Sequence, residues 1–268
     1  MIFFTILYYV WTTNPHKWNK ILKDLNPTAA LFVNSYQKVY NKMYTGEHAQ
    51  NLVRAHLHDS AQDHFPYGEK GTVLAEVICE MLKSNNGMEI WTTCLECNIP
   101  KQTISHEDIC TFEHIDRQVE SITELICSEM RVQHSLQCCT MCGGEMDPQT
   151  TFVKAPEIIS VILDARCKIT IDKTIKTMNP NGRNTILYLR GLVYYGGFHF
   201  VCRVITMNER IWYNDGKSMG HISTVDGTLW STSNDNLWNR GSKALAAAIY
   251  AQTWLCTQIC PTYTNINQ

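Results

Sequence analysis

The chain reads as an α+β protein with its helices first. Three observations predict this: apolar side chains recur at helical spacing through the first ninety residues, β-prone runs begin at Ile90, and no repeat or long low-complexity linker divides the 268 residues. Hydrophobic residues make up 44% and charged residues 18%, enough to bury a core and incompatible with a disordered chain. The formal net charge of -2 gives no electrostatic reason to expect nucleic acid or an anionic membrane.

Met1 to Trp11 is apolar but lacks a positive n-region and an Ala-x-Ala cleavage site, and it is too short to span a bilayer. It predicts a buried helix. Further helices are expected at Trp18–Leu25, Ala29–Tyr44, His48–His58 and Thr72–Lys83, punctuated by Asn14-Pro15, Asn26-Pro27 and Phe65-Pro66-Tyr67-Gly68. Strands are expected at Ile90–Thr93, Thr151–Val153, Ile158–Leu163, Lys168–Ile171, Thr185–Tyr195, Phe198–Thr206 and Arg210–Tyr213, with a turn at Asn179-Pro180-Asn181-Gly182. Ala244–Tyr250 is ambiguous, because alanine favours helix while the run is short.

Cys94-Leu-Glu-Cys97 and Cys139-Thr-Met-Cys142 form two Cys-x-x-Cys knuckles with 41 residues between the inner cysteines. Four thiolates on two such turns suit structural, tetrahedral Zn(II), and Gly143-Gly144 suits the tight turn of a knuckle. A helix over Ile115–Met130 fills the long insertion; Cys110, Cys127, His106, His114 and His134 are bystanders, and Cys138 is a worse-spaced substitute for Cys139. The remaining thiols read as reduced, which places the chain in cytoplasm or nucleus.

His199 begins one apolar run and Asp215 closes the next, sixteen positions later. An antiparallel pair would set them side by side, as the base and orienter of a nucleophilic site.

The order of these segments resembles the ubiquitin-specific protease branch of the papain-like cysteine peptidases. Lys154-Ala-Pro-Glu-Ile-Ile-Ser-Val-Ile-Leu163 looks like the family's first palm strand, Tyr188 to Phe200 like its histidine box, and Trp212-Tyr-Asn-Asp-Gly216 like its acidic box. Leu7-Tyr8-Tyr9-Val10-Trp11-Thr12-Thr13-Asn14-Pro15 and Phe65-Pro66-Tyr67-Gly68 are similar to a divergent set of such domains found in fungi beside transposon-type genes. The resemblance implies one domain with a helical thumb (1–89), zinc-ribbon fingers (90–150) and an antiparallel β palm (151–268). It implies Ala244–Tyr250 as the last strand, His199 as general base, and Asp215 or alternatively Asn214 as orienter. Gly196 and Gly197 would let a substrate backbone pass closely, and the partner would be ubiquitin or a ubiquitin-like protein with a Gly-Gly tail.

The family's nucleophile lies at the start of the helix that leads into the Leu-Tyr-x-x-Trp segment, which here is under way at Met1. No cysteine precedes Cys79, and Cys79 reads as a core thiol on an apolar helix face. The expectation is therefore a deubiquitinase remnant, truncated before its nucleophile and inactive, or alternatively a non-catalytic ubiquitin-binding module. Loss of the first helical turn would leave Phe3, Phe4, Leu7 and Tyr8 exposed.

Overall fold

The computed structural model describes residues 2–253 apart from 68–71, 84–87, 99, 106–110, 114–117, 133–137, 153–154, 165, 167, 179–183 and 221. Gly68, His106, Cys110, His114, His134, Lys154 and the expected turn at Asn179–Gly182 lie outside the described residues.

Five helices open the chain: α1 (Ile2–Thr13), α2 (Pro15–Leu25), α3 (Pro27–Tyr40), α4 (Gly46–Ser60) and α5 (Leu74–Leu82). Their starts follow from local chemistry. Asn14 and Asn26 accept backbone N–H bonds from Lys17 and Ala29 at 3.2 and 2.8 Å, and each precedes a proline whose fixed φ suits the first helical position. Thr45 caps α4 in the same way through His48. Asn26 also donates its side-chain N–H to the carbonyls of Glu80, Met81 and Lys83, which ties the end of α5 to the start of α3.

α1 lies on the sheet beside α2 and buries Phe3, Phe4, Leu7 and Trp11. This corrects the expectation that Phe3, Phe4, Leu7 and Tyr8 are left exposed: the first three are buried and Tyr8 is part-buried, with its ring 5.3 Å from that of Tyr36. No helix among the described residues is long and apolar enough to cross a membrane.

A three-stranded sheet follows, in the order β2 (Pro100–Ser105), β1 (Met88–Cys94), β4 (Met146–Phe152), all antiparallel. The main sheet has nine strands among the described residues. They are β3 (Thr111–Glu113), β5 (Ile158–Ile162), β6 (Thr174–Met178), β7 (Asn184–Gly196), β8 (His199–Ile205), β9 (Arg210–Asn214), β10 (Thr224–Thr228), β11 (Asn239–Arg240) and β12 (Lys243–Gln252). The order is β10-β9-β8-β7-β12-β5-β3, with β6 beside the first half of β7 and β11 paired to β12. Every pairing is antiparallel except β3 with β5. α6 (Ile122–Val132) and α7 (Asn234–Trp238) cover the face opposite to α1.

Both faces of the sheet are therefore buried. Val193, Cys202, Val204, Ala247 and Ile249 face the helical layer, while Leu192, Tyr194, Val201, Ala248 and Tyr250 face α6 and α7. Ala244–Tyr250 is strand, between β5 and β7, despite its alanines. The small side chains match a close approach of α1: a Cβ built on Gly191 would lie 2.3 Å from Ile6 Cγ2. Lys168–Ile171 forms only an isolated bridge at Thr170, and the ladder comes later, at β6.

Candidate functional site

β8 and β9 pair with Cys202 opposite Asn214, so the start of one strand meets the end of the other. His199 and Asp215 come together there, with Nε2 2.6 Å from Oδ1 and both side chains mostly buried. Burial raises the Asp215 carboxyl, but hydrogen bonds from His199 and from the Lys217 and Ser218 backbone N–H groups outweigh it and hold the group at about 2. An ionised carboxylate only accepts, so Nε2 carries the proton and Nδ1 becomes the basic nitrogen of the neutral ring. That is an imidazole with its tautomer fixed.

Asn214 does a different job. It is buried, and its Nδ2 donates to the carbonyls of Gly220 at 3.1 Å and Ile222 at 2.7 Å. This staples the loop whose backbone N–H groups at Lys217 and Ser218 hold Asp215 Oδ1.

Gly196 pairs with His199 across the β7–β8 turn, leaving Gly197 and Phe198 as its two central residues, both at positive φ. A Cβ on Gly196 would meet Ser242 O at 2.9 Å, so its bareness is already accounted for by the neighbouring β11–β12 turn. Gly197 borders open space. The first turn of α1 ends at this same corner: a Cβ built on Gly216 would sit 3.6 Å from Ile2 Cδ1.

At the far end of the three-stranded sheet, Cys94, Cys97, Cys139 and Cys142 bring their sulfurs within 4.8 Å of one another. Cys94 and Cys142 approach to 3.3 Å, Cys97 and Cys139 to 3.6 Å, and Cys97 and Cys142 to 3.7 Å, too far for disulfides. Backbone N–H groups of Cys97 and Gly144 point at Cys94 Sγ and Cys142 Sγ. The Met141 and Cys142 N–H groups hold the Cys139 thiol down at about 6, while at Cys142 the pull of the Gly144 N–H is overridden by neighbouring thiols, which push it up to about 12. Crowded thiols resist sharing negative charge, and these four can hold a metal ion.

Cys79 is exposed on α5, where Ile78, Met81 and Leu82 take the buried face; the expected core thiol is corrected. Cys202 is fully buried in β8, and burial pushes its thiol up to about 12. Cys138 and Cys127 are exposed.

One polar cluster escaped sequence reasoning. Arg203 Nε donates to Asp226 at 2.6 Å, Arg240 reaches the same carboxylate at 3.0 Å, and Arg240 lies 4.5 Å over the Tyr213 ring. It ties β8, β10 and β11 together. Its members are 23 and 14 positions apart, with no local motif to announce them.

No family model matches the chain, and no curated protein matches it. Solved structures do. The chain is similar to the SAGA Ubp8/Sgf11/Sus1/Sgf73 DUB module bound to ubiquitin aldehyde, with a TM-score of 0.56 and 12% identity over 92% of this chain and 64% of that one. The SAGA DUB module bound to monoubiquitin gives 0.55 and 12%, over 92% and 64%. The yeast SAGA DUB module with an Sgf73 mutant gives 0.52 and 14%, over 94% and 65%. The chain thus spans under two thirds of the length of these structures. At this identity the likeness shows the fold, which is that of the ubiquitin-specific proteases.

Proposed function

We propose that this chain is a deubiquitinase-type domain that binds ubiquitin or a ubiquitin-like protein, with His199 as base and Asp215 as orienter. The 2.6 Å contact between them carries the reading. Nε2 is committed to the carboxylate, so Nδ1 is left to take a proton from an attacking thiol. Support comes also from the start of α1 beside Gly216, where the family's nucleophile-bearing turn would stand, and from the likeness to DUB modules bound to ubiquitin. Gly197, facing open space beside His199, suits a narrow passage for a Gly-Gly tail.

Among the described residues no cysteine stands as the partner of this base. Cys202 is buried within β8, Cys79 is on α5, and four cysteines belong to the cluster. Without a nucleophile, catalysis falls by orders of magnitude and binding remains. The expected behaviour of this polypeptide is therefore association with ubiquitin without hydrolysis, in cytoplasm or nucleus.

The ion at the knuckles is zinc in this reading. Four thiolates 2.3 Å from one tetrahedral zinc stand about 3.8 Å apart, close to the sulfur separations here. Zinc would hold the three-stranded sheet and take no part in proton transfer.

Ubiquitin titrated by calorimetry tests the binding, and no heat at millimolar concentration would end it. A ubiquitin probe with an electrophilic tail should leave these 268 residues unlabelled. Adduct formation at Cys79 would overturn the proposed roles.

A further inference from the structure

Phe198 runs against expectation in both backbone and side chain. It sits at φ +57 after Gly197 at φ +60, in a two-residue turn of the kind that Asn-Gly usually fills. A bulky L residue in the left-handed region is strained. Burial of the ring could offset that, yet Phe198 is 96% exposed. An exposed phenylalanine alone means little. Strain retained with no intramolecular contact to justify it points outward, toward something the ring meets on binding.

Its position narrows the choice. His199 is the next residue, and a Cβ on Gly197 would meet nothing within 4 Å, so the turn stands clear of the body. Tyr195, 42% exposed, packs its ring 4.5 Å from that of Phe200 at the base of the same hairpin. The ring of Phe198 is thus held on a stiff ribbon, with two side-chain torsions to lose on binding.

We propose that Phe198 is a specificity-determining contact, seated on an apolar surface of the ubiquitin-type partner beside the tail that reaches His199. This rests on the ubiquitin reading above. The occupant follows from continuity: base and turn residue are adjacent on one hairpin, so a protein whose tail enters at His199 brings its folded body over the turn. A modifier with charged side chains at that surface is rejected, because the ring would strip their water without pairing them.

The test is calorimetric titration of ubiquitin against the parent chain, F198G and F198N, with melting temperatures recorded for each. Glycine and asparagine both tolerate positive φ, so the variants should melt at the same temperature or higher. Ubiquitin affinity should fall at least tenfold in both. Unchanged affinity in F198G overturns the assignment of Phe198 alone. A lower melting temperature accompanying weaker binding also overturns it, making the ring structural. No binding by the parent sinks the ubiquitin reading and this occupant with it.

Discussion

Cys202 on β8 stands opposite Asn214 on β9, and that register brings the backbone of a histidine and a carboxylate sixteen residues apart to one corner, where their side chains meet at 2.6 Å. In this register Val204 packs into the core under the helical layer and Ile211 into the core on the opposite face. The dyad is therefore a product of sheet register. The loop that Asn214 staples then holds the carboxylate in place through the Lys217 and Ser218 N–H groups.

The first prediction concerns pH. Asp215 is held at about 2, below its ordinary 3.8, by hydrogen bonds to its charged form. A depressed carboxylate contributes stability that is fully present above its unfolded value and is lost as pH falls through its folded one. The parent should lose this contribution between about pH 4 and pH 2, and D215N has no such group to lose. Melting curves across that window should show the parent-minus-variant difference shrinking; a constant difference would refute the assigned ionisation.

Asn214 and Asp215 should respond to substitution in different ways. N214A removes two N–H bonds from a buried amide to the Gly220 and Ile222 carbonyls and should cost about 1–3 kcal/mol. N214D should be no better, since a carboxylate cannot donate to Gly220 O or Ile222 O. Amide exchange at Lys217 and Ser218 should quicken in both. If N214D instead keeps full stability, the residue is an orienter in reserve and the stapling role is wrong.

The knuckles predict coupled metal and proton binding. With Cys142 pushed up to about 12 and Cys139 held at about 6, zinc uptake at pH 7 must displace protons, and apparent affinity should rise with pH. Structural zinc sites contribute about 10–16 kcal/mol of folding free energy. Chelation should therefore abolish exchange protection in β1 and β4 while β7 and β12 keep theirs. Retained protection in β1 without metal would show the cluster to be dispensable.

What the sequence disclosed depended on how local each signal is. Asn14-Pro15 and Asn26-Pro27 cap helices within three residues, so the helical starts were legible. The Cys-x-x-Cys spacing carries its own geometry. His199 and Asp215 were visible because two β-prone runs frame them. β12 was not: buried on both faces, it lacks the period-two alternation that marks a strand, and Ala247, Ala248 and Ala251 carry helix propensity that packing overrides. β10 was missed for the opposite reason, since Thr-Val-Asp-Gly-Thr at an exposed edge holds little apolar signal, and Asp226 gains meaning only from Arg203 and Arg240 in space. Exposure of α1 was wrongly expected from the supposed loss of a first turn, because Phe3, Phe4 and Leu7 are covered by the sheet and the neighbouring helices.

The packing of α1 on the sheet gives the last prediction. A methyl on Gly191 would stand 2.3 Å from Ile6 Cγ2, 2.7 Å from Cδ1 and 2.9 Å from Cγ1, all on one side chain that is itself fully buried. G191A should destabilise at or above the usual overpacking cost of about 1–3 kcal/mol. I6A alone should cost about 2–5 kcal/mol through the cavity it leaves. Together the two changes compensate, because the alanine methyl enters the vacated space, so the double variant should be more stable than the sum by about 1–3 kcal/mol. Urea denaturation of the four proteins measures this coupling. Strict additivity would mean that Ile6 does not rest on Gly191, and α1 would then lose the contact that sets its first turn against Gly216 at the corner of the dyad.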